Sequence, residues 1–231
     1  MKRIFLIINL LVSMFSFAQD SLQTERKSII TFSLLSPTLS LAPRYSVGYV
    51  HKLNSRWWAG LEAGYGNDGI NIVKEPLGDS DVTGSDYRLF ELRPELYYDI
   101  RNRGKLKHTV SLEVFYINHR DRFITDKYRD KSESRWYEYD AADYKRIKTG
   151  FNLNYGVLYY LTPKLMLWQK MGVGLKNRNV KYDNFVNNRP SERYDNDDDH
   201  FDLFGMDSHL EKEGNYFGFN FNMELKLAYQ F

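Results

Sequence analysis

Hydrophobic and polar residues alternate with period two along most of this chain, most cleanly over residues 216–231. Phe217, Phe219, Phe221, Met223, Leu225, Leu227, Tyr229 and Phe231 share one parity. Asn220, Asn222, Glu224, Lys226 and Gln230 share the other. Such alternation marks a strand with one apolar and one polar face. The same pattern predicts seven more strands, at 28–38, 45–53, 57–66, 87–101, 106 to about 118, 144–161 and 165 to about 177. Proline lacks the N–H that a ladder needs, so Pro37 points to a bulge or the strand end, and Pro94 weakens the ladder of the fourth strand.

Turn-forming residues join these strands at 54–56, 102–105 and 162–164, and long polar segments fill the alternate connections at 67–86, 119–143 and 178–215. A tilted strand needs about 9–11 residues to cross a membrane. Strand length and alternating connection length together predict an all-β fold, an eight-stranded antiparallel up-and-down transmembrane β-barrel. Both termini are then expected on the periplasmic side, with the long loops and a short turn at 40–44 outside. Alternation alone does not say which face points outward, and a secreted lipocalin-like barrel would reverse it. The contents of the faces favour the membrane. One is dense in Leu, Val and aromatics, with Trp57, Tyr98, Tyr159 and Tyr229 near the short-turn end; the other mixes Gly and Asn with charges of both signs.

At the other end, Lys2 and Arg3 precede an apolar run over 4–12 and the small-x-small pattern Ser16-Phe17-Ala18. This predicts a signal peptide over 1–18 and a single barrel domain over 19–231. Removing Lys2 and Arg3 changes the balance from 32 basic and 30 acidic residues to 30 and 30, which gives no argument for nucleic acid as a partner. The chain has no cysteine, so disulfides, thiol catalysis and Cys-bearing zinc sites are excluded. Aromatics make up 16% of residues, with 18 Tyr, a composition suited to girdles at membrane–water interfaces.

The terminal strand ending on Phe231 resembles the last strand of Gram-negative outer-membrane barrels, which the barrel-assembly machinery reads. In architecture the chain resembles small OmpA- and OmpX-type barrels. The stretches TFSLLSPTLSLAPRYSVGYVHKLNSRWWAGLEAGYG, FELRPELYYDIR and YGVLYYLTPKLMLWQKMGVGLKNR are similar to an uncharacterised outer-membrane protein family carrying a domain of unknown function. The resemblance implies residence in the outer membrane of a Gram-negative bacterium, as a monomer in contact with outer-membrane lipid and lipopolysaccharide. Its motifs are strand patterns, so it carries over no catalytic residue and no cofactor.

The best-defined chemical constellation is the set of charges on the polar face: Glu62, Glu91, Arg93, Glu95, Glu113, Lys170, Glu224 and Lys226. Neighbouring strands would place Arg93 between Glu62 and Glu113, and Lys170 beside Glu224. An eight-stranded barrel is just wide enough inside for side chains to fill. Isolated charges there are costly, so these are expected to pair into a plug. Asp195, Asp197 and Asp199 are weak candidates for a divalent cation. The EF-hand pattern fails where His200 replaces the required Gly and Met206 the bidentate Glu. His51 reads as a near-turn interfacial residue and His108 as an apolar-face one. His119 and His200 each have an Asp two residues on, His209 shares the last long loop, and no nucleophile motif accompanies them. Residues 135–139, Arg-Trp-Tyr-Glu-Tyr, read as a continuation of a strand above the membrane or as binding anchors. The function expected is structural or surface-interacting, with a rim-located lipid- or peptide-directed hydrolase or a narrow ion channel as alternatives.

Overall fold

A computed structural model describes residues 27–37, 42–67, 84–103, 105–131, 135–191 and 212–231. The strands are β1 (Ser28–Ser33), β2 (Tyr45–Lys52), β3 (Trp57–Asn67), β4 (Arg88–Arg103), β5 (Leu106–Arg129), β6 (Trp136–Tyr160), β7 (Leu165–Val186), β8 (Arg189–Pro190) and β9 (Gly214–Gln230). Eight of them form a closed antiparallel ring in the order β1-β2-β3-β4-β5-β6-β7-β9, β9 pairing back onto β1. The two-residue β8 sits on the far end of β6, outside the ring proper.

Closure removes the exposed edges that an open sheet would present. Pro94 does not interrupt β4. It faces Leu61 of β3, and only the bridges to β5 skip over it, with Leu92–Tyr116 and Glu95–Glu113 staying in one register. The first strand is shorter than its pattern suggests, ending at Ser33 before a turn at Ser36–Pro37.

The larger departure lies on the other side of the ring. Residues 119–129 and 140–143, expected as loop, and 136–139, expected as strand continuation or binding anchors, extend β5 and β6 to 24 and 25 residues, and β7 runs to 22, against 8 in β2 and 11 in β3. Alternation of hydrophobicity fades there because both faces carry polar groups: Arg120 and Arg122 alternate with His119 and Asp121. The backbone ladder continues regardless, from His119–Arg146 to Arg129–Trp136. The extension carries its own aromatic cluster of Phe123, Tyr128, Tyr139, Tyr144 and Tyr182, with Tyr137 and Phe185 against it. Thr125 adopts φ 52°, a left-handed conformation that is a rare outlier for a β-branched residue, and the β5–β6 bridges skip it.

The apolar parity faces outward. Leu112, Leu153, Val173 and Phe221 lie in one row across β5, β6, β7 and β9, each more than half exposed. Beyond Tyr116, Phe151 and Phe217 the outward positions turn mainly polar, as at Arg120, Lys145 and Asn179, although Ile147 and the exposed Ile124 stay apolar. The polar parity faces the lumen, the opposite of a lipocalin-like arrangement.

Candidate functional site in the lumen

Starting from the short-turn end, the lumen is filled in layers. The floor is apolar and aromatic: Ile29, Val50, Trp58, Tyr97, Leu158, Met166, Trp168 and Ala228 are all buried and pack together. Trp58 Nε1 donates to Asp99 Oδ2 at 2.9 Å, and Lys107 Nζ reaches the same oxygen at 2.8 Å while lying 3.9 Å from the Trp58 ring centroid.

Above the floor is the charged layer. All eight of the polar-face charges named from the sequence point into it, and each is less than one-tenth exposed. Lys170 Nζ contacts Glu95 and Glu113 at 2.6 Å and Glu224 at 3.1 Å. Arg93 Nη1 donates to Glu113 at 3.0 Å and Glu224 at 2.8 Å, and its Nε bonds Glu91. Lys226 joins Glu62 to Glu224. The arrangement differs from strand adjacency in one respect. Glu62 and Arg93 are backbone partners across β3 and β4, yet the Glu62 carboxylate binds Lys226, and Arg93 reaches over the lumen to β9. In so narrow a ring, distance across the interior is comparable with distance along the wall.

Sequence reading missed two contributors. Arg44 chelates Glu91 through Nε and Nη2 but lies just before β2, outside any alternating run that would show its direction. A run of amides completes the carboxylates: Asn152 donates to Glu113 at 2.8 Å, Asn154 to Glu95 at 3.1 Å, and Asn220 to Asn152 at 2.8 Å. Their parity was visible, but their role depends on which carboxylate lies opposite. With Tyr97 Oη donating to Glu95 at 2.7 Å, the layer is also tied to the floor. Unpaired buried charge is expensive, so such a layer is stable only because each ion has partners and hydrogen bonds.

On the β4–β5 side, Ala42, Tyr87, Leu89, Phe115 and Ile117 cap the charged layer. Phe115 lies across the lumen because Gly150 faces it on β6; a Cβ there would come within 2.6 Å of the ring. On the β6–β7 side, Arg146, Lys148, Lys176 and Arg178 carry the lumen parity instead. His119, completely buried, stacks edge-on between Tyr87 at 5.0 Å and Tyr144 at 5.1 Å, with Asp121 Oδ2 at 3.6 Å from its Nε2. Farther out, burial raises the pKa of both Asp126 and Glu213, whereas hydrogen bonds from Asn184 and then Arg122 hold Asp143 low.

The other sequence candidates are placed as follows. His51 is exposed on the outer face beside Tyr49, and His108 bonds Tyr155 Oη at 2.6 Å. Residues 136–139 belong to β6. Asp195, Asp197, Asp199, His200 and His209 lie outside the described residues, as do the signal-peptide residues and the turn at 40–41. Among the described residues no group of three His, Asp or Glu side chains is placed to hold a metal ion.

No protein-family model matches this chain. No curated protein matches it either. Among solved structures, a major outer membrane protein from Thermus thermophilus aligns over 89% of this chain and 99% of its own, with 14% identity and a TM-score of 0.44.

Proposed function

We propose that this protein is a closed outer-membrane β-barrel whose lumen is a structural plug and whose β5–β7 extension serves surface interaction. The observation that carries this reading is the inversion of polarity across the wall. Leu153, Val173 and Phe221 are 60–63% exposed on the outside, while Glu91 and Glu113 inside are 0% exposed. A water-soluble barrel gains nothing from that distribution, whereas hydrocarbon requires an apolar exterior and tolerates a polar interior in a closed ring. The extension rises past the belt, as a surface-facing element would, and lipopolysaccharide and lipid are its natural neighbours. The protein acts as a monomer in this reading, with both termini in the periplasm.

The test combines localisation with conductance. Cell fractionation should place the folded, heat-modifiable protein in the outer membrane, with protease cleavage of intact cells falling in the β5–β6 or β8–β9 connection. Planar bilayers holding the protein should show no steady current. Recovery in the soluble periplasmic fraction would end the membrane reading, and steady single-channel currents would end the plug.

A further inference from the structure

The aromatic floor beneath the charged layer contains two polar atoms that its packing does not satisfy. Trp168 Nε1 and Asp99 Oδ1 are buried and have no hydrogen-bond partner among the described residues. Both side chains line one cavity of about 10 Å³ in the floor, together with Thr109 and Lys107. Buried polar atoms in native proteins are nearly always satisfied, so each of the two calls for a partner. The donors at this corner are already committed to the other carboxylate oxygen: Asp99 Oδ2 takes both Trp58 Nε1 at 2.9 Å and Lys107 Nζ at 2.8 Å.

Strand register explains why the floor has room here. Asp99 faces Thr109 across β4 and β5, and Thr109 faces Gly156 across β5 and β6. A Cβ at Gly156 would stand 2.6 Å from Thr109 Oγ1 and 2.8 Å from Trp168 Nε1. The two polar atoms therefore border one point that only glycine leaves clear. Thr109 Oγ1 donates to the Gly156 carbonyl at 3.5 Å, the outer limit of a hydrogen bond, and can still accept from another donor.

We propose that this cavity binds a single water molecule, which accepts from Trp168 Nε1 and donates to Asp99 Oδ1 and Thr109 Oγ1. The chemistry of the three atoms selects it. An indole N–H only donates, and a carboxylate in an ion pair with lysine only accepts. A cation cannot accept from the indole, and an anion cannot donate to the carboxylate. Water does both, and a buried water typically makes about three hydrogen bonds. One water needs roughly 10–15 Å³ of such space, so nothing larger enters. The bridge joins β7 to β4 and β5, strands with which β7 shares no backbone pairing. The floor is then a hydrated joint across the ring as well as an apolar seal. This goes beyond the plug and membrane readings, neither of which uses Trp168 Nε1, so a failed bridge leaves both standing.

A crystal structure of the folded protein, grown from detergent and sharp enough to show ordered water, should place one peak within hydrogen-bond distance of all three atoms. In micelles, proton–nitrogen correlation NMR follows the Trp168 indole proton, assigned through Trp168→Phe. A hydrogen-bonded indole proton resonates downfield of a free one, and the downfield position is expected. Thr109→Val removes one acceptor at nearly constant shape without touching the indole. It should move the Trp168 resonance, and Thr109→Ser, which keeps the hydroxyl, should hold it close to its original place. Should Thr109→Val not fold, the crystal structure and the resonance of the unaltered protein decide. A cavity without a peak, an indole proton at the free position, or a protein acceptor bonded directly to Trp168 Nε1 would overturn the inference. So would a resonance that Thr109→Val leaves unmoved.

Discussion

The two charged zones of the lumen differ in the signs of charge that their strands bring together. In the lower one, Glu62, Glu91, Glu95, Glu113 and Glu224 face Arg44, Arg93, Lys170 and Lys226, and nearly every oxygen meets a cation or an amide. In the upper one, Arg146, Lys148, Lys176 and Arg178 share a wall with Asp121 and Glu213, whose oxygens are bonded to backbone. The same alternating parity thus carries interlocked carboxylates and cations in one place and a run of cations on two facing strands in the other. Which signs a charged residue meets in a barrel interior therefore depends on the strands beside it and across the lumen.

The largest effect should come from removing the hub of the lower zone. Lys170→Met leaves Glu95, Glu113 and Glu224 without their shared ammonium. Loss of one partner from a buried network typically costs about 3–5 kcal/mol. Urea unfolding in detergent should register this; a loss well under 1 kcal/mol would mean that the three carboxylates do not depend on Lys170. Next, Leu153→Arg in the middle of the outer belt should cost about 2–4 kcal/mol in a lipid bilayer, and much less in a soluble assay of the same ring. Equal costs in both settings would contradict lipid contact at that row.

A double-mutant cycle then measures the lower zone pairwise. Arg93→Ala with Glu113→Gln should show coupling of about 0.5–3 kcal/mol, because the two are in direct contact. Additivity would take Glu113 out of Arg93's circle. In the extension, Thr125→Gly should raise stability by about 1 kcal/mol by removing left-handed strain, read as slower amide exchange in the β5–β6 hairpin. Faster exchange would show that the Thr side chain stabilises the kink more than the strain costs.

The smallest effect concerns pH. Burial raises the folded pKa of Asp126 above its unfolded value near 3.8, so the folded hairpin prefers the protonated carboxyl. Its contribution is most favourable below the unfolded pKa and declines as pH rises through the folded one. Asp126→Asn should therefore stabilise the hairpin at neutral pH by no more than about 0.5 kcal/mol, and the gain should vanish below about pH 4. A gain independent of pH would locate the effect elsewhere.

Most of the ring was legible in the sequence because period-two alternation is a local property. Each strand carries its own record of which residues share a face, and the turns at 54–56 and 162–164 are marked by their own residue types. The record weakens at 119–143, where only residues 135–139 read as a strand continuation. There both faces of the hairpin carry polar residues, so the hydrophobic period disappears while backbone hydrogen bonding continues. Direction is absent from the alternation itself, which apolar-out and apolar-in barrels share; the contents of the faces pointed to apolar-out, and burial around the closed ring agrees.

By itself, then, the sequence determined the strand count of the ring, the membership of the two faces and the eight charges bound for the lumen. Tertiary structure decided which of those charges meet. Glu62 could have taken Arg93, its backbone partner, but a narrow ring brings Lys226 to it and sends Arg93 across to Glu224. It also decided that Arg44 joins the plug from outside any strand, and that Lys148 faces Arg178 with Phe115 between them and the carboxylates below. The physical reason is range. Side-chain parity is set by the pleat within a few residues, whereas electrostatic partnership depends on register and closure among strands more than a hundred residues apart.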